Sequence, residues 1–252
     1  MTGSPPVVDV VVLTWNDGEL LDRALASVLG SEGVDVRVVV VDNGSEPPAT
    51  VPADSRVRLI RNAENRGVRA RNQGTAVGTS DLVAFVDSDV RLRPDTLSSL
   101  AGALVDQPHV ALVCPVFEDQ VPEASAGRAP TAALKAQRLL GLRDTYEPTR
   151  PSAGAASWDV DFSITACVLF RRSAFEAVGG LDEAYFYGPE DIDLCLRLKE
   201  AGWRIQQVAA ATCYHPPRRR NRRVLSRRGA LHVLAVVRHL WRHRGFRRSV
   251  PA

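Results

Sequence analysis

Cysteine is scarce in this 252-residue chain, and the four that occur, Cys114, Cys167, Cys195 and Cys213, stand far apart with no Cys-x-x-Cys pair. That spacing argues against a disulfide frame or a zinc knuckle and fits small core residues in a reducing compartment. There is no uninterrupted apolar run of about 20 residues, the length a membrane-spanning helix needs. The first residues, Met1 to Pro6, are short and polar, so no signal peptide is visible and a cytoplasmic location is expected. Acidic residues are missing from Pro217 to Ala252, which holds twelve of the 32 basic residues, all arginine. The remainder has 20 basic against 29 acidic residues, so an overall charge of +3 conceals an acidic body and a basic tail.

What is present reads as alternating strands and helices. Val7 to Thr14 is an almost continuous β-branched run, as in a strand buried on both faces of a parallel sheet. Leu20, Leu21, Ala24, Leu25 and Val28 follow at helical spacing, then strands at Val36 to Val41 and Val57 to Ile60. Asn65 to Gly74 is a polar loop turning into a helix; its Gly67 permits close backbone approach, and Arg69 and Arg71 are placed to face an anion. A solvated arginine face is the plainer alternative.

Leu82 to Asp89 reads as a short buried strand ending in two carboxylates, Asp87 and Asp89, which are expected on the loop at its carboxyl end. Ligands of open α/β sheets bind at the carboxyl ends of the strands, and alternation points both side chains the same way. Two hard oxygen ligands suit Mg2+ or Mn2+ on a diphosphate, although an Asp-x-Asp taken alone is more often an ordinary acidic turn.

A helix is expected over Asp95 to Val105 and a strand over Val110 to Val116. Glu118 to Ser157 is rich in proline, glycine and alanine, with one short helix read at Ala132 to Leu140; an acceptor or lid segment and an unstructured connection are its two readings. Asp161 to Phe170 reads as a strand and Ser173 to Val178 as a helix. The aromatic loop Leu181 to Pro189 leads into Glu190-Asp191-Ile192-Asp193, an acidic helix start that can serve the helix alone or supply a general base. Ile205 to Tyr214 reads as a strand running into His215.

Taken in order, Thr14-Trp15-Asn16, Asp42-Asn43-Gly44-Ser45, Asn65 to Gly74, Asp87-Ser88-Asp89, Gly179 to Glu183 and Glu190-Asp191-x-Asp193 resemble family 2 glycosyltransferases of the GT-A fold, from about Val8 to His215. Glu190 to Cys195 followed by Arg197 is most similar to the bacterial branch with rhamnosyl- and galactofuranosyltransferases. The resemblance implies an α/β fold, a Rossmann-like, mostly parallel sheet flanked by helices, over residues 1–216, with 217–252 a separate basic helical tail. It implies a nucleotide site at Thr14, Asn16, Asp42, Asn43, Asn65, Gly67, Arg71, Asn72, Asp87 and Ser88. Asp89 and Asp87 would hold the cation, Mg2+ or Mn2+, with His215 as a further contact. Asp191 matches the catalytic base, with Glu190 shaping the acceptor site and Trp158 and Asp161 assigned to the sugar site.

The implied reaction is inverting transfer of one sugar from a UDP-, dTDP- or GDP-linked donor to a hydroxyl acceptor. Gln206-Gln207 is not followed by the Gln-x-x-Arg-Trp of processive synthases, which favours a single transfer. Two other classes compete. A nucleotidyltransferase would carry a glycine- and lysine/arginine-rich loop where Thr14 to Gly18 stands, and a non-catalytic nucleotide-sugar or membrane-surface module would not need Asp87, Asp89 and Asp191 together. In the tail, Leu231, Leu234, Val237, Leu240 and Trp241 recur at helical spacing among arginines, which suits a helix on an anionic membrane surface. A dimer-contacting helix is the other reading. Nucleic acid is disfavoured, because no aromatic stacking platform accompanies the arginines.

Overall fold

The computed structural model describes residues 4–118, 125–129, 149, 153–216, 234–239, 242 and 243. The helix expected at Ala132 to Leu140 and most of the basic tail lie outside these residues.

Six strands run the same way: β1 (Val7–Thr14), β2 (Asp35–Asp42), β3 (Val57–Arg61), β4 (Leu82–Asp87), β6 (Val110–Phe117) and β11 (Arg204–Tyr214). Short β5 (Arg91–Leu92), β7 (Ala126–Gly127), β8 (Ser157–Asp159), β9 (Phe162–Ser163) and the reversed strand β10 (Cys167–Arg171) complete the set. The main sheet runs β3-β2-β1-β4-β10-β6-β11-β5, with β8 on β11 and β7 and β9 forming a separate ladder.

The β-branched runs make these strands, and their alternation fills two cores. Val8, Val10 and Val12 join Leu21, Leu25 and Val28 of α1 (Gly18–Leu29) and Leu97, Leu100 and Leu104 of α3 (Thr96–Val105). On the other face Val11, Val83 and Phe85 meet Phe175 of α4 (Arg172–Ala177) and Ile192, Leu194 and Leu198 of α5 (Glu190–Glu200). Phe170 lies edge-on to Phe85 at 4.8 Å and stacks on Phe175 at 4.6 Å between ring centroids. The short helix α2 (Arg71–Val77) follows a 3-10 turn at Val68–Ala70.

Two expectations are corrected. The run read as one strand from Asp161 to Phe170 is two: Ile164 donates its amide to Ser125 O, and the chain leaves the small ladder before Cys167 pairs with Val86. Of the two carboxylates read on the loop after the strand, Asp89 lies there but Asp87 is the last residue of β4; Val90 N bonds back to Asp87 O at 3.0 Å and turns the chain. Parallel alignment brings the carboxyl ends of β1, β2, β4, β6 and β11 to one edge of the sheet.

Candidate active site

At that edge Asp87, Asp89 and His215 offer ligand atoms within 4.8 Å of one another. The turn after β4 carries Asp89 round so that His215, just beyond β11, places its Nε2 3.7 Å from Asp89 Oδ1. His215 packs on Phe117 of β6, ring centroids 5.0 Å apart, which fixes the imidazole. Two carboxylates and one imidazole form a donor set that fits Mg2+ or Mn2+. Asp87 is also ion-paired with Arg71, which is 4% exposed, and Ser88 donates its hydroxyl to Asp17 at 2.6 Å.

Arg71 links this cluster to the acidic helix start. Its guanidinium reaches Thr165 Oγ1 at 3.4 Å and opposes the upward shift of Glu190. Burial, and secondarily the charge of Asp191, push the Glu190 carboxyl up to about 7. Glu190 is 8% exposed and its Oε2 has no hydrogen-bond partner among the described residues. Asp191 is more accessible and accepts the Ile192 amide at 2.7 Å. Asp193, two residues on, is buried and turned away into a pairing with Arg197.

The remaining nucleotide candidates fall into two groups. Thr14 is 1% exposed at the end of β1, beside Asp42 in the register, and its Oγ1 has no hydrogen-bond partner among the described residues. Asp42 is occupied locally, accepting the amides of Ser45 at 3.0 Å and Ala49 at 2.9 Å. Asn16 adopts a left-handed φ of 58° and ties the two loops together, receiving the Glu46 amide at 2.8 Å. Asn43 spends its side chain on Asn65, Gly67, Asn62 and Arg66. Asn65 in turn caps the Gly67 amide at 2.8 Å. These groups build the loop walls.

Gly67 does permit close backbone approach, but to protein: a Cβ there would collide with Phe186 O, and Val68 N bonds that same carbonyl at 3.0 Å. Arg69, expected to face an anion, donates to Glu183 O at 2.7 Å. Asn72 brackets Leu181, donating to its carbonyl at 2.8 Å and accepting its amide at 3.0 Å. The Asn65 to Asn72 segment therefore carries the aromatic loop.

Trp158 and Asp161 are not brought to this edge. Trp158 sits in β8 opposite Gln207, and Asp161 pairs with Lys199, near the far end of α5 from Glu190. Reading the sequence missed Asp17 and Thr165. Asp17 lies 71 positions from Ser88 and Thr165 lies 94 from Arg71, and neither carries a local pattern.

A Rossmann-like sheet with this acidic edge is the GT-A glycosyltransferase architecture. It matches a mannosyltransferase of Pyrobaculum calidifontis solved with GDP-Man and Mn2+, TM-score 0.64 at 20% identity over 99% of this chain and 67% of that one. GalNAc-T7, solved with UDP, GalNAc and Mn2+, superposes with a TM-score of 0.71 at 15% identity over 94% of this chain and 48% of that one. Residues 9–179 match the model of glycosyl transferase family 2, to which the chain belongs; residues 149–218 match that of the N-terminal domain of galactosyltransferase. A pre-mycofactocin glycosyltransferase of Mycobacterium tuberculosis is 36% identical over 92% of this chain, which spans 48% of that relative's length. An N-acetylglucosaminyl-diphospho-decaprenol L-rhamnosyltransferase from the same organism is 30% identical over 83% of this chain and 76% of its own.

Proposed function

We propose that the chain is a metal-dependent, inverting glycosyltransferase moving one sugar from a nucleoside-diphosphate donor to a hydroxyl acceptor. The observation that carries this is the meeting of Asp87, Asp89 and His215 at the sheet edge, with Arg71 linking them to Glu190 and Asp191. Asp87, Asp89 and His215 would hold Mg2+ or Mn2+, which as a Lewis acid supports charge developing on the leaving diphosphate. Thr14 and the Asp42 loop receive the base and ribose. Arg71 pairs with Asp87 and orients it.

Asp191 takes the proton of the incoming hydroxyl on the face opposite the leaving group, which gives inversion without a covalent intermediate. Glu190, buried with one oxygen unsatisfied, is an acceptor-site hydrogen-bonding group. The catalytic unit is residues 1–216. The tail over 217–252 is a membrane-surface element that brings the enzyme to an acceptor at the inner face of the membrane. Its support is the exposure of Leu234 (65%) and Val237 (58%) while Ala235 and Val236 are buried. Among the described residues no helix is long and apolar enough to cross a membrane.

The test is calorimetric titration with UDP, GDP and dTDP, each with and without Mn2+. Binding of one nucleotide that requires Mn2+ and disappears in Asp89→Asn supports the reading. Equal binding with and without metal removes the metal from it.

A further inference from the structure

Away from the carboxylate edge, a second group of ligating side chains meets where the carboxyl-terminal segment lies on α5. His239 and His243, one helical turn apart in sequence, and Asp193 each offer one ligand atom within 4.8 Å of the others. All three are withdrawn from water: Asp193 and His239 are 0% exposed, and the His243 side chain is 4% exposed. The two imidazole centroids are 4.8 Å apart, and Tyr185 lies edge-on to His239 at 6.4 Å.

The outer contacts orient these atoms. His243 Nδ1 lies 3.3 Å from Glu200 Oε1, which leaves Nε2 directed at Asp193 Oδ1, 3.0 Å away. Asp193 Oδ2 receives Arg197 Nε at 2.8 Å, and the Tyr185 hydroxyl is 3.4 Å from Oδ1. A carboxylate on the non-ligating ring nitrogen and a donor on the spare carboxylate oxygen are the supports that metal-bound histidine and aspartate use. With Arg197 already on Oδ2, Arg242 also approaches the ligating oxygen. Its Nη1 is 3.9 Å from Asp193 Oδ1, and its closer partner is Asp182.

We propose that Asp193, His239 and His243 form a site for a divalent transition metal of the Zn2+ or Co2+ class, which ties the carboxyl-terminal segment to α5. Two imidazole nitrogens and one carboxylate oxygen select that class, whereas the two-carboxylate edge cluster suits Mg2+ or Mn2+. The fourth position is left to water or the Tyr185 oxygen. A metal here braces the helix whose first turn carries Glu190 and Asp191.

The experiment titrates Co2+ into the full chain, stripped with chelator and held in excess Mg2+. One Co2+ per chain should bind with the visible absorption of a low-coordinate nitrogen/oxygen site. Asp89→Asn should retain that band, and His239→Gln and His243→Gln should lose it. Zn2+ should raise the Tm of the wild type but of neither histidine variant. Glu200 is 65% exposed in its side chain, so Glu200→Ala folds even if the buried variants do not. Its Co2+ affinity should fall by about tenfold or more. An absent band, a band lost in Asp89→Asn but kept in His243→Gln, or unchanged affinity in Glu200→Ala overturns the site and leaves an Asp193–His243 ion pair.

Discussion

Glu190 and Asp191 are neighbours with opposite circumstances, and the difference is testable. The Glu190 carboxyl titrates near 7 in the fold, above the ordinary 4.5, because burial and the Asp191 charge disfavour its ionised form. The unfolded chain therefore releases this proton more easily than the native one. Its contribution to stability is whole below about pH 4.5 and is lost as pH rises through about 7. At about 1.4 kcal/mol per unit, the loss is of the order of a few kcal/mol. Glu190→Gln should accordingly be more stable than wild type at pH 8 and little different at pH 4, read from urea midpoints; equal midpoints at pH 8 would remove the strain. Asp191→Asn should instead reduce transfer by about 10²–10⁴-fold while leaving nucleotide affinity in place, as for a general base. Loss of both together would make Asp191 structural. Asp87 and Asp89 were legible because a strand and its carboxylates are contiguous. The Arg71–Asp87 pair was not, because it joins residues 16 positions apart across two elements.

α2 and the aromatic loop act as one element through Asn72. Its amide satisfies both backbone groups of Leu181, at 2.8 and 3.0 Å. Asn72→Ala leaves the two without their partner at a cost of about 1–3 kcal/mol. Amide exchange at Leu181 should accelerate and the urea midpoint should fall; exchange that stays at the wild-type rate would show that the loop is held elsewhere. This bracket also explains what a sequence can and cannot reveal. A continuous β-branched run such as Val7 to Thr14 announces a strand buried on both faces, and β1 has those bounds. The same kind of run does not announce direction. Cys167–Arg171 is as apolar as β4 beside it, yet it runs the other way. Two-residue β5 and β7 have no periodicity to detect and exist because neighbouring backbone completes their hydrogen bonds. Asn65 to Asn72 looked like a phosphate loop because glycine, asparagine and arginine serve backbone stapling and anion contact equally well.

At the scale of the whole molecule, charge is divided, with twelve arginines in the last 36 residues and a net acidic remainder. Part of that tail is held back by the body, since Arg238 and Arg242 both pair with Asp182. Such exposed pairs are worth little, on the order of 0–1 kcal/mol each. The exposed Leu234 and Val237 lie on the same helical segment as these arginines. An anionic bilayer supplies both an apolar layer for the leucine and valine and phosphate charge for the arginines, worth about 1 kcal/mol per cationic side chain near the surface. The full chain should therefore sediment with vesicles containing anionic lipid and not with zwitterionic ones. Raising salt from about 0.1 M to 1 M shortens the screening length from about 10 Å to 3 Å and should release it. A chain ending at Pro216 should stay in solution throughout. If the truncated chain still sediments with anionic vesicles, the attachment belongs to the body and the tail has another role. If the full chain binds both vesicle types alike and salt does not release it, apolar insertion rather than arginine is the anchor.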